Sequence, residues 1–227
     1  MNSKINSIIT IDGPSSVGKS NLTRKLIKEL EFSLLNSGAI YRLVALMVLQ
    51  QRINTDAESI TKFLTESKIK FKIDYQNSQF YLNTKNVSDQ IRLEKTGMMA
   101  SKIAGIKEVR QKLLQKQRDY GVHTRGLVAD GRDMGTVVFP QAQFKFFLNA
   151  DSEIRAQRRF NELVNNGCNP NFNQVLIKLR QRDFQDYSRA ESPLKPATDA
   201  YIIDTSYLSA NEVFEKVLKL VNFKKKC

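Results

Sequence analysis

Cysteine and histidine are scarce in this sequence of 227 residues, which contains two cysteines and one histidine. Cys168 and Cys227 lie far apart and form no C-x-x-C pair, so we expect free thiols, as in a reducing compartment. His123 has no neighbouring acid or cysteine motif. We interpret it as an exposed loop residue and expect no zinc site.

Long apolar runs are also missing, because no stretch of about 18 consecutive apolar residues occurs, and this absence excludes a transmembrane helix. The first ten residues lack the charged start, apolar middle and small-residue cleavage site of a secretory signal. We therefore expect a cytoplasmic protein with no membrane partner. No feature of the sequence marks an interface, so we expect a monomer.

Acidic residues are outnumbered by basic ones. Lysine and arginine total 36 against 23 aspartate and glutamate residues, which gives a net charge of +13 and a pI near 9.7. This excess favours a polyanionic partner such as nucleic acid, an anionic membrane surface or a highly charged nucleotide. The charge alone does not choose among these partners.

The sequence opens with the order strand, turn, helix. Residues 7–11 form a short apolar run, and the turn formers Asp12, Gly13 and Pro14 end it. From Ser20 onward, apolar residues recur every four positions, which predicts an amphipathic helix. The apolar residues of this helix are Leu22, Leu26 and Leu30.

Residues 69–82 follow a different pattern, in which apolar and polar residues alternate on both sides of a turn at residues 76–78. The alternation predicts a β-hairpin with one buried face. We interpret residues 62–95 as a small inserted lobe that contains β-structure. We expect one long helical stretch over residues 98–120.

Apolar strands and helices alternate in the second half of the chain. We predict strands at residues 127–130, 144–148 and 201–204, and helices at residues 152–164, 173–187 and after Ser209. Ser209 and Glu212 form a capping box for the last helix, and its buried stripe is Val213, Val217 and Val221. The alternation predicts an α/β fold with a P-loop NTPase-like parallel sheet flanked by helices. Ligands of such sheets lie at the carboxyl ends of the strands.

Residues 13–20 match the phosphate-binding pattern G-x-x-x-x-G-K-[ST] in full, with a strand before and a helix after. In this motif, backbone N–H groups and the helix N-terminus face the phosphates of a nucleoside triphosphate. Lys19 would reach the β- and γ-phosphates, and the Ser20 hydroxyl would ligate Mg²⁺. The residues predicted to bind ATP are Gly13, Pro14, Ser15, Ser16, Val17, Gly18, Lys19, Ser20 and Asn21.

Asp130 closes the apolar strand at residues 127–130. A carboxylate at this point can hold Mg²⁺ through water, as in a Walker B site, so Asp130 joins Ser20 as a candidate metal residue. An ordinary turn aspartate before Gly131 fits the sequence equally well. Motors, GTPases, ATPases and kinases all bind a nucleoside triphosphate, so these motifs do not identify the reaction.

Arginines gather in the second half of the chain. Arg132 and Asp133 follow the strand that ends at Asp130. The other members are Arg155, Arg158 and Arg159, which share one helix face, and Arg180, Arg182 and Arg189. Such a cluster suits a site for two phosphorylated substrates, whose charge it would neutralise during phosphoryl transfer. We expect at least two of the three arginines at 155, 158 and 159 to be surface charges.

The sequence resembles the bacterial cytidylate kinases over essentially its whole length. The longest matching segment, residues 129–140, reads Ala-Asp-Gly-Arg-Asp-Met-Gly-Thr-Val-Val-Phe-Pro and is far more specific than the phosphate loop. Shorter matching segments are residues 9–14, 37–42, 87–88, 91–92 and 182–189. The resemblance implies one P-loop kinase domain over residues 1–227, with an NMP-binding lobe at about 62–95 and a helical lid at about 155–189. It also implies transfer of the γ-phosphoryl of ATP to CMP or dCMP with Mg²⁺.

The same resemblance implies roles for individual residues. Those that would hold the CMP phosphate or line its pocket are Arg42, Arg132, Arg189, Ser37 and Tyr41. Those that would recognise cytosine are Ser101, Arg110 and Asp133, and those that would meet the sugar are Arg182 and Asp186. The candidate catalytic residues are Lys19, Arg132, Arg158 and Arg189. An aspartate carboxylate can accept from the exocyclic amine of cytosine, where uracil has a carbonyl, so we expect CMP to be preferred to UMP.

The sequence departs from the family at three places. Asn36 stands where the family usually has aspartate, Ser16 where a glycine is common, and Ser20-Asn21 where Gly-Thr or Ser-Thr is usual. We expect these changes to leave the reaction class unaltered. We expect small-molecule substrates and no nucleic-acid partner. Two alternatives remain open: another small-acceptor P-loop kinase, for UMP, a different nucleotide or shikimate, and a nucleic-acid-stimulated ATPase or binding module suggested by the positive charge.

Overall fold

The structure is a computed structural model that describes residues 7–66, 71–74, 79–122 and 125–226. The chain divides into two compact units, Met1–Leu35 with Tyr120–Cys227 and Asn36–Asp119. The inserted lobe expected at residues 62–95 falls inside the second unit, which is longer at both ends. The division into a kinase domain, an inserted lobe and a lid stays a prediction.

The strands and helices follow one another in the order expected of an α/β protein. The strands are β1 (Ser7–Asp12), β2 (Ser33–Asn36), β3 (Phe71–Asp74), β4 (Gln79–Leu82), β5 (Lys85–Asn86), β6 (Gly126–Gly131), β7 (Phe144–Asn149) and β8 (Tyr201–Asp204). The helices are α1 (Lys19–Leu30), α2 (Ser37–Gln50), α3 (Ala57–Glu66), α4 (Ser88–Arg92), α5 (Glu94–Ile103), α6 (Lys107–Val122), α7 (Ser152–Asn165), α8 (Phe172–Ser188) and α9 (Ala210–Lys226). A π-helical turn spans Met134–Val138.

The main sheet has five strands in the order β2-β6-β1-β7-β8. β1 pairs in parallel with β6, from Ser7 opposite Gly126 to Asp12 opposite Gly131. β7 and β8 continue the sheet in parallel on the other side of β1. The predicted parallel sheet flanked by helices is confirmed. β1 is the central strand, and it ends at Asp12, directly before the phosphate loop.

Helices α1 and α9 cover the core of the first unit. Ile9 and Ile11 of β1 and Phe146 of β7 are at most 1% exposed. The predicted apolar faces of both helices pack into the same core, namely Leu22, Leu26, Val213, Val217 and Val221. The predicted capping box is confirmed: the Ser209 N–H donates to Glu212 Oε2 at 2.8 Å, and the Glu212 N–H to Ser209 Oγ at 3.2 Å.

The second unit contains a small antiparallel sheet in the order β3-β4-β5. β3 pairs with β4 from Phe71 opposite Leu82 to Asp74 opposite Gln79, so the predicted hairpin is confirmed for its strands. Its predicted turn at residues 76–78 and its start at residue 69 lie outside the described residues. The short third strand, β5, was not predicted from the sequence.

One helix prediction is wrong. The stretch expected to be a single helix over residues 98–120 is two helices, because α5 ends at Ile103 and α6 begins at Lys107. The break contains Gly105, a residue that costs about 1 kcal/mol in a helix interior. Helix α2 was not predicted either. Its central residues 43–48 are all buried, so no amphipathic period marks it.

Leu26 tests the packing of α1 against the sheet. Because this side chain is 0% exposed, Leu26→Ala should lower the free energy of unfolding by about 2–5 kcal/mol. The matched control is Arg24→Ala on the exposed side of the same helix, with an expected change within about 0.5 kcal/mol. Urea unfolding measures both, and similar losses for the two variants would contradict this view of α1.

Candidate active site

The carboxyl end of β1 leads directly into the phosphate loop, and Gly13 makes that connection possible. Gly13 has a φ of 149°, and a Cβ built on it would lie 2.3 Å from the backbone oxygen of Leu148. The Leu148 oxygen belongs to the backbone, so it cannot move aside as the end of a flexible side chain could. Only glycine therefore allows the loop to pass this close to β7.

The carbonyl groups of the phosphate loop are hydrogen-bonded by side chains from three parts of the fold. Lys19 Nζ donates to the oxygens of Gly13 and Pro14 at 2.8 and 2.7 Å. Arg155 Nη1 donates to the oxygen of Ser15 at 3.2 Å, and Thr205 Oγ1 donates to that of Val17 at 2.9 Å. The carbonyls are thus held by the protein, an arrangement that suits a loop whose N–H groups serve an anion.

Two residues of the loop have left-handed backbone. Gly18 is the N-cap of α1 with a φ of 101°, and no side chain caps the helix. Ser16 has a φ of 58°, a conformation that glycine adopts more easily than serine. This angle explains why glycine suits the position. Ser20 and Asn21 in the first turn of α1 are exposed.

Asp12 was missed by the sequence analysis, where it was only a strand breaker. Its carboxylate is 4% exposed and accepts from the N–H groups of Met134 and Gly135, each at 2.8 Å. Burial raises the pKa of Asp12 to about 7, although these two N–H groups lower it. Asp12 thereby fixes the π-helical turn after Arg132 and Asp133. An aspartate at a strand end just before a phosphate loop is a signal that could have found it.

Lys19 lies in a buried group of charges at the ends of β1 and β6. Burial lowers the pKa of Lys19 to about 7, and Arg132 lowers it further against the opposite effects of Asp130 and Asp12. Burial also raises the pKa of Asp130 above its usual value, while Lys19 and Arg132 lower it. The structure thus brings together three predicted site residues, Lys19, Asp130 and Arg132.

Arg132 is tied to the helix that carries the last predicted arginines. Its Nε donates to Asp186 Oδ2 of α8 at 2.7 Å. Burial raises the pKa of Asp186, but Arg132 and the arginines at 189 and 182 outweigh it, so this pKa lies below its usual value. Arg189, just after α8, donates from Nε to the oxygen of Ser192 at 2.6 Å. Asp133 is buried beside Arg132.

The expectation that at least two of the three arginines of α7 are plain surface charges is wrong, because Arg155 is buried and Arg158 and Arg159 are only partly exposed. Arg155 is 5% exposed and pairs with Asp183 of α8 at 2.7 Å. Arg158 is half-buried and donates to the oxygen of Thr205 at 2.5 Å. Arg159 pairs with Glu162 at 2.9 Å. The spacing predicted their common face correctly, but it did not show that carbonyl and carboxylate groups cover that face.

In the second unit, two predicted acceptor residues are in contact. The guanidinium carbon of Arg110 lies 5.6 Å from the centre of the Tyr41 ring, and Nη1 donates to the oxygen of Ala104 at 3.0 Å. Ser37 is buried at the start of α2, and Ser101 lies half-buried in α5. Both serines belong to the same unit as Tyr41 and Arg110.

Arg42 in the second unit depends on a glycine that the sequence analysis did not select. Its Nη1 donates to the oxygens of Ile91 and Leu93 at 2.5 and 3.5 Å. A Cβ on Gly97 of α5 would lie 2.7 Å from Arg42 Nη2, so Gly97 leaves room for the guanidinium. Because Gly97 precedes the helical stretch predicted at residues 98–120, its place inside α5 was not predicted.

Two further features of the second unit are the N-cap of α2 and a polar cavity. The side chain of Asn36 is the N-cap of α2 and accepts from the N–H of Ala39 at 2.8 Å. A polar cavity of about 430 Å³ is lined by Gln79, residues 86–90 and Arg92, which includes the matching segment at residues 87–88.

The remaining sequence predictions concern metals, thiols and membranes. Among the described residues, no group of three or more histidine, cysteine or acidic side chains is suited to hold a metal. Cys168 is a free and exposed thiol, whereas His123 and Cys227 lie outside the described residues. No helix in the described ranges combines the length and apolar character needed to cross a bilayer.

Gly13 gives a direct test of the loop geometry. Gly13→Ala should destabilise the protein by more than the roughly 1–3 kcal/mol that a strained φ costs, because its Cβ also meets the Leu148 oxygen, and it should abolish ATP binding. Gly167→Ala is the matched control, since Gly167 has a φ of 76° but no atom within 4 Å of an added Cβ. Urea unfolding and calorimetric ATP titration measure both effects. Equal losses in the two variants would contradict the close approach.

Comparison with known proteins identifies the family. The family model described as cytidylate kinase matches residues 9–223. The curated cytidylate kinases of Pasteurella multocida and Haemophilus ducreyi are each 46% identical over 222 residues, covering 97% of this chain and 96% and 99% of theirs. A shikimate kinase structure from Bacteroides thetaiotaomicron matches 96% of this chain and 98% of its own at 11% identity and a TM-score of 0.47. With a family model over nearly all of its length and relatives this similar, the chain belongs to the cytidylate kinase family.

Proposed function

We propose that the protein transfers the γ-phosphoryl group of ATP to CMP or dCMP, giving ADP and CDP or dCDP. Lys19 and Arg132 carry this proposal, because the buried lysine of the phosphate loop and a partly exposed arginine of the family segment belong to one group of interacting charges. A donor phosphate at the loop and an acceptor phosphate at Arg132 would then meet within the first unit. The membership of the family supports the same reaction.

The phosphate loop is the proposed ATP site, formed by residues 13–21. The Lys19 ammonium has three N–H donors, so a phosphate oxygen would accept from it alongside the Gly13 and Pro14 carbonyls. The start of α1 has no side-chain cap, so its first N–H groups can donate to an anion. Lys19 would thereby neutralise charge on the γ-phosphoryl group during transfer.

Ser20 and Asp130 fit Mg²⁺ by their chemistry. Hydroxyl and carboxylate oxygens are the donors that this ion prefers, and it usually keeps several waters besides one or two such ligands. Ser20 is exposed in the first turn of α1, and Asp130 is the residue before the last in β6. When bound there, the ion would neutralise part of the charge on the phosphates of ATP.

The arginines of the first unit are the proposed machinery for the acceptor phosphate. The attacking atom is a phosphate oxygen that is already anionic, so the site has to neutralise charge rather than remove a proton. Arg132 and Arg189 would bind the CMP phosphate, with Arg158 on the donor side. An arginine that stabilises the transferring group contributes about 10³–10⁵ in rate.

The other acceptor contacts are proposed unit by unit. In the first unit, Asp133 would accept from the cytosine amine, and Arg182 and Asp186 would meet the sugar. In the second unit, the proposed residues are Ser37, Tyr41, Arg42, Ser101 and Arg110. The contacts among Tyr41, Arg110 and the Ala104 carbonyl support a preformed pocket wall there. Residues 62–95 and 155–189 remain our proposed NMP-binding lobe and lid, and a monomeric, cytoplasmic enzyme remains the expectation.

An acceptor panel tests the proposed reaction. With ATP and Mg²⁺, we expect strong ADP production with CMP and dCMP and little with UMP, AMP or shikimate. Turnover with UMP alone or with shikimate alone would show that this molecule, and not CMP, is the acceptor. ATP turnover that ignores acceptors, rises with added RNA or DNA, and falls steeply with salt would favour a nucleic-acid-stimulated ATPase instead.

Asp133 tests the origin of the base preference. Asp133→Ala should lower the ratio of kcat/KM for CMP to that for UMP by about ten- to a hundredfold, the worth of one hydrogen bond to a charged group. Asp186→Asn is the control, because it weakens the pairing with Arg132 and the contact with the sugar, and CMP and UMP share both the phosphate and the sugar, so both values should fall equally. An unchanged ratio in Asp133→Ala would exclude the assigned role.

A further inference from the structure

Arg155 joins three parts of the first unit through one guanidinium group. Its Nε donates to the oxygen of Ala150 at 2.8 Å, and its Nη1 to the oxygen of Ser15 at 3.2 Å. Its Nη2 pairs with Asp183 Oδ2 at 2.7 Å, and both side chains are largely buried, at 6% and 13% exposure. The end of β7, the phosphate loop and α8 are therefore linked by one side chain.

The α8 end of this link is next to the proposed acceptor residues. Asp183 lies one helical turn before Asp186, whose carboxylate holds Arg132 at 2.7 Å. Arg182 and Arg189 flank the same stretch of chain. Because residues three apart stack on one face of a helix, a shift at Asp183 moves Asp186 with it.

Two polar atoms beside this guanidinium have unused hydrogen-bonding capacity. Ser15 Oγ and Asp183 Oδ1 are buried and make no hydrogen bond within the described part of the chain. One can donate and the other can accept, and both residues are bonded to Arg155. A buried unpaired polar group is unfavourable, so an arrangement of the loop and α8 that satisfies these atoms is stabilised.

We propose that Arg155 is a positioning residue that couples occupancy of the phosphate loop to acceptor binding on α8. The inference rests on the proposed function, since it concerns the same donor and acceptor sites. ATP phosphates at the loop fix the Ser15 backbone, Arg155 carries that constraint to Asp183, and α8 then presents Asp186 and its neighbouring arginines to CMP. We assign Arg155 no contact with the reacting atoms or the substrates, because each of its three guanidinium nitrogens already has a partner within the protein.

Coupling of this kind depends on the shape of the guanidinium as well as its charge. Arginine presents five N–H donors in a rigid planar fork, whereas lysine is a point charge on a flexible stem. Arg155→Lys keeps the positive charge beside Asp183 but cannot bond all three partners in these directions. Asp183→Asn is a second variant, in which an oxygen acceptor remains and the charge pairing is lost.

Calorimetric titration of CMP with and without a saturating non-hydrolysable ATP analogue and Mg²⁺ measures the coupling. In the wild type the analogue should lower the Kd of CMP at least about fivefold, within the usual range for coupled sites. In Arg155→Lys and Asp183→Asn the ratio of the CMP Kd without the analogue to that with it should fall below about twofold. The Kd of the analogue itself, measured without CMP, should change by a smaller factor between the wild type and these variants.

Arg180→Lys is the matched control, because Arg180 also joins α8 to α7, through Glu153 at 2.6 Å, but on the exposed surface. It should keep the wild-type ratio. Full coupling in Arg155→Lys and Asp183→Asn, an equal loss in Arg180→Lys, or no coupling in the wild type would each overturn the inference. Turnover of CMP by the wild type is scored separately, so failure of the proposed reaction is distinguishable from failure of the coupling.

Discussion

Hydrogen bonding of the phosphate-loop carbonyls is the constraint on which the site depends. A loop that turns its N–H groups toward an anion must find donors for its carbonyls from the protein, because buried backbone groups are almost always paired. Lys19, Arg155 and Thr205 supply these donors from α1, from α7 and from the loop after β8. The conformation of the loop therefore depends on the packing of the whole first unit around it.

Buried charges extend this constraint from the loop to the proposed acceptor residues. Removing one partner of a buried pair is costly because the other charge stays uncompensated. Asp12 holds the turn after Asp133, and Asp186 holds Arg132, so the end of β6 is fixed on one side by β1 and on the other by α8. The same side chains that stabilise the first unit thus determine where a second phosphate would bind.

Local structure can be predicted from the sequence where a residue pattern has a single structural meaning. The strand-turn-helix order of β1 and α1, the capping box at Ser209 and the apolar faces of α1 and α9 follow from local spacing, and the structure confirms them. Prediction fails where the meaning of a pattern depends on distant parts of the chain. Helix α2 is buried on nearly every face, so its period is hidden. Two partners of Arg155, Ser15 and Asp183, lie 140 and 28 residues away along the chain, which spacing on α7 cannot reveal.

The departures from the family pattern affect charge and backbone strain more than the architecture. Asn36 caps α2 as an aspartate would, since both residues are equally good N-caps, but it brings no negative charge to the start of that helix. Ser16 takes a left-handed conformation that costs about 1–2 kcal/mol more than it would for glycine. Neither change removes a donor to the loop carbonyls or a partner of Arg132. We therefore expect these departures to change efficiency and not the reaction class, because the residues proposed to bind and neutralise phosphate are retained.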